Sequence, residues 1–211
     1  MRELMNILYC HGLGSSINNR ISASLMEYFR KTPHYFERLL YRNPGSRHVL
    51  WNISEWREDI EKRVDGQEWV VIASSAGCHA ALNAARNRPH DIKGLFLFCP
   101  GVSLSFDYVD NIIPGGSAAL RNGQTLIHPA SRGGHEALVD REHLQHYLDV
   151  GDVINYSLQL LHSNVLVPLY YTVLFSRNGG FEAQLRSRVL LYLNTLVVVL
   201  RNNEPNFYRF L

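Results

Sequence analysis

The segment that most constrains the fold lies where a short apolar run meets a cluster of small residues. Trp69-Val70-Val71-Ile72 has the composition of a buried strand, and the stretch from Ala76 to Arg88 is alanine-rich and helix-forming. Ala73-Ser74-Ser75-Ala76-Gly77 joins them. A strand passes directly into a helix only through a very sharp turn. The positions two before and two after Ser75 hold alanine and glycine, which are small enough to allow that turn.

The same turn places a hydroxyl group where negative charge is stabilised. Ser75 would stand at the carboxyl end of the strand and at the positive N-terminus of the following helix. A serine in that position is a candidate nucleophile for acyl transfer, which also requires an oxyanion hole. Two backbone N–H groups are candidates for it. One belongs to Ala76, and the other to Leu13 in the loop His11-Gly12-Leu13-Gly14.

Composition limits the class of protein. A chain of 211 residues with 46% hydrophobic residues is expected to form one domain, residues 1–211, with a substantial core. The formal net charge of +2 and the scattered arginines argue against a nucleic acid partner. The chain has an odd number of cysteines, namely Cys10, Cys78 and Cys99. Its first strand-like segment begins at Leu4, so we expect no signal peptide. We therefore expect free thiols and a cytoplasmic protein.

The order of the elements predicts an α/β architecture. Apolar runs that are not polar at every second residue alternate with helical segments, which is typical of a mostly parallel sheet with helices on both faces. In such sheets ligands bind at the carboxyl ends of the strands. The predicted strands are Leu4–Cys10, Tyr35–Tyr41, Trp69–Ala73, Gly94–Cys99 and Ser157–Leu161, with a last one within Val189–Leu200.

Two stretches need separate interpretation. Residues 100–155 are rich in Gly, Pro and His, contain one predicted helix around Glu136–Leu148, and are expected to form a cap over the carboxyl edge of the sheet. The longest apolar stretch, Val189–Leu200, would cover roughly 18 Å as a helix, short of the 30 Å or so of a hydrocarbon core. We expect a buried strand or a core helix there, and no membrane span.

These motifs together resemble the α/β-hydrolase superfamily. Within it the chain is most similar to small serine hydrolases with acyl-protein thioesterase or acyl-glucuronide esterase activity. The resemblance runs from Leu4 to about Pro168. Its specific part is the turn around Ser75, and the loop after the first strand and Leu160-Leu161-His162 support it.

The resemblance implies a three-layer α/β-hydrolase fold with a small cap insertion. It implies Ser75 as the nucleophile and the N–H groups of Leu13 and Ala76 as the oxyanion hole. The implied substrate is a small acyl ester or thioester, cleaved through an acyl-enzyme with no cofactor and no metal. It also leaves a mitochondrial location open beside the cytoplasmic one. Substrate identity and oligomeric state do not follow from the sequence.

The other two members of the expected catalytic triad are where the sequence departs from the family. The family has an Asp in the segment before Val167-Pro168, whereas this chain offers only Asn164. An amide can orient an imidazole but cannot stabilise the imidazolium electrostatically. The family's histidine follows the last strand, and this chain has no histidine after His162. The C-terminal segment is thus divergent.

Three explanations stay open: a site crippled by a divergent or truncated C-terminal portion, a different histidine as base, or a non-catalytic protein that binds a ligand or partner. His162 is the candidate base, with Asn164 in the position of the acid. His79, one helical turn after Ser75, is a second candidate whose alternative role is packing. His11 is expected to shape the oxyanion loop.

Weaker patterns complete the set of candidates. Asp107 and Asp110 are alternatives for the acid, with helix capping as the simpler role. His143-x-x-His146 places two imidazoles one turn apart next to Glu142. Because zinc needs three or four ligands, we expect these histidines to be packed or solvated and not to bind a metal.

Overall fold

The computed structural model describes residues 4–98, 101, 106–130, 135–148 and 195–198. His162, Asn164 and the predicted strand Ser157–Leu161 lie outside these residues. In the described part, helices and strands alternate as the sequence predicts. The elements are β1 (Asn6–Cys10), α1 (Arg20–Phe29), β2 (Tyr35–Arg38), α2 (Ile53–Val64), β3 (Trp69–Ser74), α3 (Ala76–Asn87), β4 (Ile92–Phe98), α4 (Phe106–Ile112), α5 (Gly116–Arg121), β5 (Leu126–Pro129), β6 (Glu136–Val139), α6 (Arg141–Leu148) and β7 (Thr195–Val198).

One mostly parallel sheet organises these elements. Its strand order is β2-β1-β3-β4-β7, and the pairs among the first four strands are parallel. The last strand, β7, pairs antiparallel with β4, with Thr195 opposite Phe98. All six residues of β3 are buried, as expected for a central strand covered on both faces. The predicted α/β architecture is confirmed.

The two faces of the sheet carry separate hydrophobic cores. Because successive side chains of a strand point to opposite faces, neighbouring residues of one strand enter different cores. Leu8 and Val71 join the larger core, which also holds the apolar faces of α2 and α3. Ile7 and Val70 join the smaller core, against which Leu25 of α1 packs. The sheet thus has helices on both faces.

Capping residues begin the helices that flank the parallel strands. Asn19 accepts from the N–H of Ser22 at the start of α1. Asn52 accepts from the N–H groups of Ser54 and Glu55 at the start of α2. Such caps are worth about 1 kcal/mol each.

None of the helices in the described part of the chain is long and apolar enough to cross a membrane.

The prediction of a helix around Glu136–Leu148 is wrong in its first third. Glu136–Val139 is a strand that pairs antiparallel with Leu126–Pro129. Its burial alternates, with Ala137 and Val139 inside, which fits a two-residue period. The helix begins only at Arg141. Pairing with Leu126–Pro129 and hydrogen bonds to Ser46 and Trp51 have overridden the local helical preference.

We call the described residues 106–130 and 135–148 the cap segment. Its strand β6 is joined to the loop before α2, because the N–H of Leu138 donates to Ser46 O at 2.8 Å and the N–H of Trp51 donates to Leu138 O at 2.8 Å. Its helix α6 is joined to α2 by the hydroxyl of Ser54, which donates to Glu142 Oε1 at 2.9 Å. The cap segment therefore packs on loops and helices around the parallel sheet.

Candidate active site

Ser75 stands in the turn between β3 and α3 with an unusual backbone conformation. Its φ is 52° and its ψ is −127°, and no other non-glycine residue in the described ranges has a positive φ. The conformation costs about 1–3 kcal/mol and persists only where the surroundings hold it. Ser75 is exposed, whereas Ser74 and Ala76 on either side are buried. The turn thus presents one hydroxyl to solvent at the carboxyl edge of the sheet.

Backbone hydrogen bonds hold this conformation on both sides. The N–H of Ser75 donates to Phe98 O on the neighbouring strand at 3.0 Å. The carbonyl of Ser75 accepts from the N–H of Cys78 at 3.0 Å and from the N–H of Gly101 at 3.1 Å. The strain is therefore balanced by contacts from β4, from α3 and from the residue that follows β4.

Two glycines let the first loop approach this turn. A Cβ added to Gly12 would lie 2.7 Å from Ser75 Cβ and 3.3 Å from Ser75 Oγ. A Cβ added to Gly77 would lie 2.4 Å from the carbonyl oxygen of His11. Side chains at either position would collide with the opposite segment. The small residues that the sequence predicts at the turn are thus required by its contact with the β1 loop.

A buried polar contact lies beneath the turn. The phenol of Tyr9 is 3.0 Å from Ser74 Oγ and donates to Asn19 Oδ1 at 3.2 Å. Asn19 also caps α1 and donates to Ser15 Oγ at 3.0 Å. These bonds join β1, the residue before Ser75 and the end of the first loop. The sequence pattern does not predict this network, and its one local sign is the polar Tyr9 within an apolar strand.

The two predicted oxyanion donors lie in these touching segments. Ala76 is the first residue of α3, so its N–H has no acceptor within the helix. The N–H of Leu13 forms no backbone hydrogen bond among the described residues. Leu13 directly follows Gly12, which abuts Ser75. The role of these two N–H groups as an oxyanion hole stays a prediction.

Comparison with solved structures identifies the fold. A monoacylglycerol lipase from Paleococcus ferrophilus matches with a TM-score of 0.52 and 13% identity, over 72% of this chain and 68% of that one. A presumed hydrolase from Agrobacterium vitis S4 matches with a TM-score of 0.53 and 15% identity, over 71% and 61%. The chain has the α/β-hydrolase fold.

A third solved structure matches with a lower TM-score. Mouse alpha/beta hydrolase domain-containing protein 10 matches with a TM-score of 0.46 and 19% identity, over 72% of this chain and 61% of that one. The chain therefore spans between 61 and 68% of the length of these three proteins. No family model matches the sequence, and no curated protein matches it significantly.

His11 is buried in the loop after β1. Its Nδ1–H donates to Gly12 O at 2.9 Å, and its ring packs edge-on against Tyr41 and Trp56 at 4.9 and 5.7 Å between centroids. Burial lowers the pKa of the imidazole. A neutral, buried ring bonded to its own loop supports the loop conformation and is not free to act as a base.

His79 also lies in the protein interior. It is 4% exposed, and its ring contacts that of His146 with 4.0 Å between centroids. Packing, the alternative given for His79 above, is therefore what the structure shows. Of the acid candidates, Asp107 is exposed, and Asp110 accepts hydrogen bonds from the N–H and hydroxyl of Ser117 in the first turn of α5.

No side chain in the described part of the chain forms a hydrogen bond with the Ser75 hydroxyl. The base and acid candidates His162 and Asn164 lie outside the described residues, so their predicted roles stay predictions. The Glu142–His146 region is packed, since His143 and His146 are 1% and 2% exposed. No group of three or more possible ligands is arranged to hold a metal within the described ranges.

Proposed function

We propose that this chain is a serine hydrolase that cleaves a carboxylic ester or thioester through an acyl-enzyme on Ser75. One observation carries the proposal: an exposed serine hydroxyl in a strained strand-to-helix turn, with the Gly12 backbone against it. That arrangement is the nucleophile elbow of the α/β-hydrolase fold. The hydrolase titles of the structural neighbours agree with it but are statements about those proteins.

In the proposed reaction, Ser75 Oγ attacks the acyl carbonyl carbon and its proton passes to a base. The carbonyl oxygen becomes an oxyanion that the N–H groups of Leu13 and Ala76 stabilise. Collapse of this intermediate breaks the bond to the leaving alcohol or thiol, which takes the proton from the base. Water then attacks the acyl-enzyme and releases the carboxylic acid and Ser75.

We propose His162 as the base, with Asn164 orienting its ring. The proposal rests on their predicted place at the carboxyl end of a strand. Because Asn164 carries no charge, the imidazolium would lack the stabilisation that a carboxylate supplies, and the reaction would be slow. An Asp-to-Asn exchange in a triad lowers kcat by about 10⁴.

A specific observation favours a second candidate function. Among the described residues, His79, one helical turn after Ser75, and His11, in the loop that contacts Ser75, are both committed to buried packing. Without a base, the fold would hold an acyl compound or a protein partner and not turn it over. The expected difference is chemical, because a serine without a base does not react with electrophilic phosphonates.

Labelling with a fluorophosphonate probe tests the proposal. We expect labelling of the purified chain and its loss in Ser75→Ala. Ser74→Ala is the matched control, because it removes the neighbouring hydroxyl and leaves Ser75 in place. Loss in His162→Ala but not in His90→Ala, an exposed histidine, would support the assigned base. A folded chain that takes up no probe contradicts the enzyme and leaves the binding protein.

A further inference from the structure

Asn19 makes more hydrogen bonds than the capping of α1 requires. Its Oδ1 accepts from the N–H of Ser22 at 2.9 Å, which is the capping bond. The same oxygen accepts from the phenol of Tyr9 at 3.2 Å. Its Nδ2 donates to the carbonyl of Ser16 at 2.7 Å and to the hydroxyl of Ser15 at 3.0 Å. One side chain thus joins α1, β1 and the loop after β1.

The backbone partners of Asn19 fix which end of its amide faces which segment. A backbone N–H can only donate and a carbonyl oxygen can only accept. The N–H of Ser22 therefore requires Oδ1 on its side, and the carbonyl of Ser16 requires Nδ2 on the other. A side chain that accepts but does not donate would keep the first bond and lose the second.

Tyr9 extends this contact to the strand that leads to the proposed nucleophile. It is 1% exposed, and its phenol oxygen lies 3.0 Å from Ser74 Oγ. Because Asn19 Oδ1 can only accept, the single phenol proton goes to Asn19, and the Ser74 hydroxyl donates to the phenol oxygen. Burial raises the pKa of Tyr9, although its bonds to Ser74 and Asn19 oppose this, so the phenol keeps its proton at neutral pH. Ser74 directly precedes Ser75.

The Nδ2 end of Asn19 holds the loop that carries the predicted oxyanion donor. Ser15 lies two residues after Leu13, and the peptide groups between them are planar. Gly14, between them, is buried against the cap segment, because a Cβ added to it would lie 2.3 Å from Ala130 Cβ. This contact limits how far Gly14 can turn to absorb a displacement. A shift of Ser15 is therefore passed on to Leu13.

We propose that Asn19 is a positioning residue that sets the place of the Leu13 N–H relative to Ser75 Oγ. It holds the loop of Leu13 through Nδ2, and it holds the strand end before Ser75 through Oδ1 and Tyr9. This inference rests on the proposed hydrolase reaction. Displacement of a catalytic group by about 1 Å can cost about 100-fold in rate, so a loss of the Nδ2 bonds slows the attack by Ser75 although Asn19 touches no reacting atom.

Asn19→Asp separates this role from helix capping. Asp caps helices as well as Asn does, and its carboxylate can accept from Ser22 and Tyr9. The Ser15 hydroxyl can turn and donate to the new carboxylate. The bond to the carbonyl of Ser16 is lost, because two oxygens would face each other where Nδ2 now donates at 2.7 Å.

Two further variants complete the set. Asn19→Ser also keeps a good cap and lacks the amide nitrogen, but it adds no charge, so it serves if Asn19→Asp does not fold. Asn52→Asp is the matched control. Asn52 caps α2 through its Oδ1, which accepts from the N–H groups of Ser54 and Glu55. It therefore reports the general effect of Asp in place of a capping Asn.

Nuclear magnetic resonance of the whole chain tests the loop contact without any chemistry at Ser75. In both Asn19 variants we expect the amide signals of residues 13–16 to shift. Their ¹⁵N order parameters should fall from about 0.85, typical of rigid backbone, toward about 0.6. Residues 24–29 of α1 should stay as in the unmodified protein, and Asn52→Asp should leave residues 13–16 unchanged. Unchanged signals of residues 13–16 in a folded Asn19 variant overturn the proposal, whatever the labelling rate.

The rate of labelling by a fluorophosphonate probe tests the consequence for the reaction. The phosphonyl oxygen of the probe takes the place of the carbonyl oxygen, so the N–H of Leu13 faces it in the same way. We expect the limiting rate of labelling of Ser75 in Asn19→Asp to fall about 10- to 100-fold, at an unchanged half-saturating probe concentration. Asn52→Asp should be labelled at the rate of the unmodified protein. An unchanged limiting rate in Asn19→Asp overturns the proposal, because Asn19 then only caps α1.

The two proposals fail in different proteins. If the unmodified chain takes up no probe, the hydrolase fails, and with it the reaction that Asn19 would serve. If the unmodified chain is labelled and the Asn19 variants keep its rate, the hydrolase stands and the positioning role fails. Slower labelling together with altered signals of residues 13–16 supports both.

Discussion

Gly77→Ala tests whether contact with the β1 loop makes the turn at Ser75 possible. Gly77 lies in the first turn of α3, where alanine would ordinarily favour the helix by up to about 1 kcal/mol. The added Cβ would lie 2.4 Å from His11 O and 2.9 Å from Cys10 O, whereas ordinary contacts begin near 3.5 Å. Both obstacles are backbone atoms, which cannot turn aside as a side chain can.

The expected net effect is a loss of about 2 kcal/mol in the free energy of unfolding. Overpacking costs about 1–3 kcal/mol, and because both obstacles are backbone atoms we take the upper end, about 3 kcal/mol. Subtracting the gain in helix propensity of about 1 kcal/mol leaves about 2 kcal/mol. With a urea m-value of about 2 kcal/mol/M, the midpoint of unfolding should fall by about 1 M. The assay is urea unfolding followed by tryptophan fluorescence, with hydrogen exchange of residues 11–14 as the local readout.

Gly66→Ala is the matched control, because Gly66 has a φ of 72° and nothing within 4 Å of an added Cβ. It carries only the backbone cost of a left-handed alanine, about 1 kcal/mol, and should leave exchange in residues 11–14 unchanged. If Gly77→Ala is as stable as the unmodified protein or more so, or if exchange in that loop does not increase, the contact does not constrain the turn.

The remaining predictions concern other contacts. Tyr9→Phe removes the hydroxyl beside Ser74 and should lower stability by about 1–2 kcal/mol, seen as a Tm lower by about 3–6 °C; an unchanged Tm would contradict a role for that bond. The bond from Arg63 lowers the pKa of Glu37, so Glu37→Gln should cost about 0.5–1 kcal/mol at neutral pH. That difference should vanish in urea titrations once the pH falls below the lowered pKa, and a constant difference refutes it. Burial raises the pKa of the Cys10 thiol to about 12, so iodoacetamide at about pH 8 should modify it only after urea unfolding, and mass spectrometry of the native protein checks this.

The turn at Ser75 and the parallel sheet were predictable because their signals are local. Small residues around Ser75 and continuous apolar runs such as Trp69–Ala73 describe the backbone that they form. The contact of Gly12 with Ser75 was not predictable, since it depends on the pairing of β1 with β3. His-Gly marks a loop, and only the folded chain shows what the loop touches.

The packing of His143 and His146 is a second contact that the sequence alone does not predict. The spacing of His143 and His146 predicts a shared helix face but does not decide whether that face is packed or solvated. Packing against His79 and His128 joins residues from three elements, and nothing local records it. The strand Glu136–Val139 was missed because the hydrogen bonds that hold it come from Leu126–Pro129 and from Ser46 and Trp51, outside its own sequence. Both misses lie in the cap segment.

At Ser75 the positive φ lowers the stability of the protein, whereas the hydroxyl of the same residue supplies its proposed reactivity. Glycine adopts a φ of that sign without steric cost, so Ser75→Gly would relieve about 1–2 kcal/mol of strain. Any procedure that selects variants for stability alone is therefore expected to replace the serine and discard its hydroxyl. Ser75→Ala keeps the Cβ and with it the strained turn. The residue best suited to the turn is one that cannot attack a carbonyl.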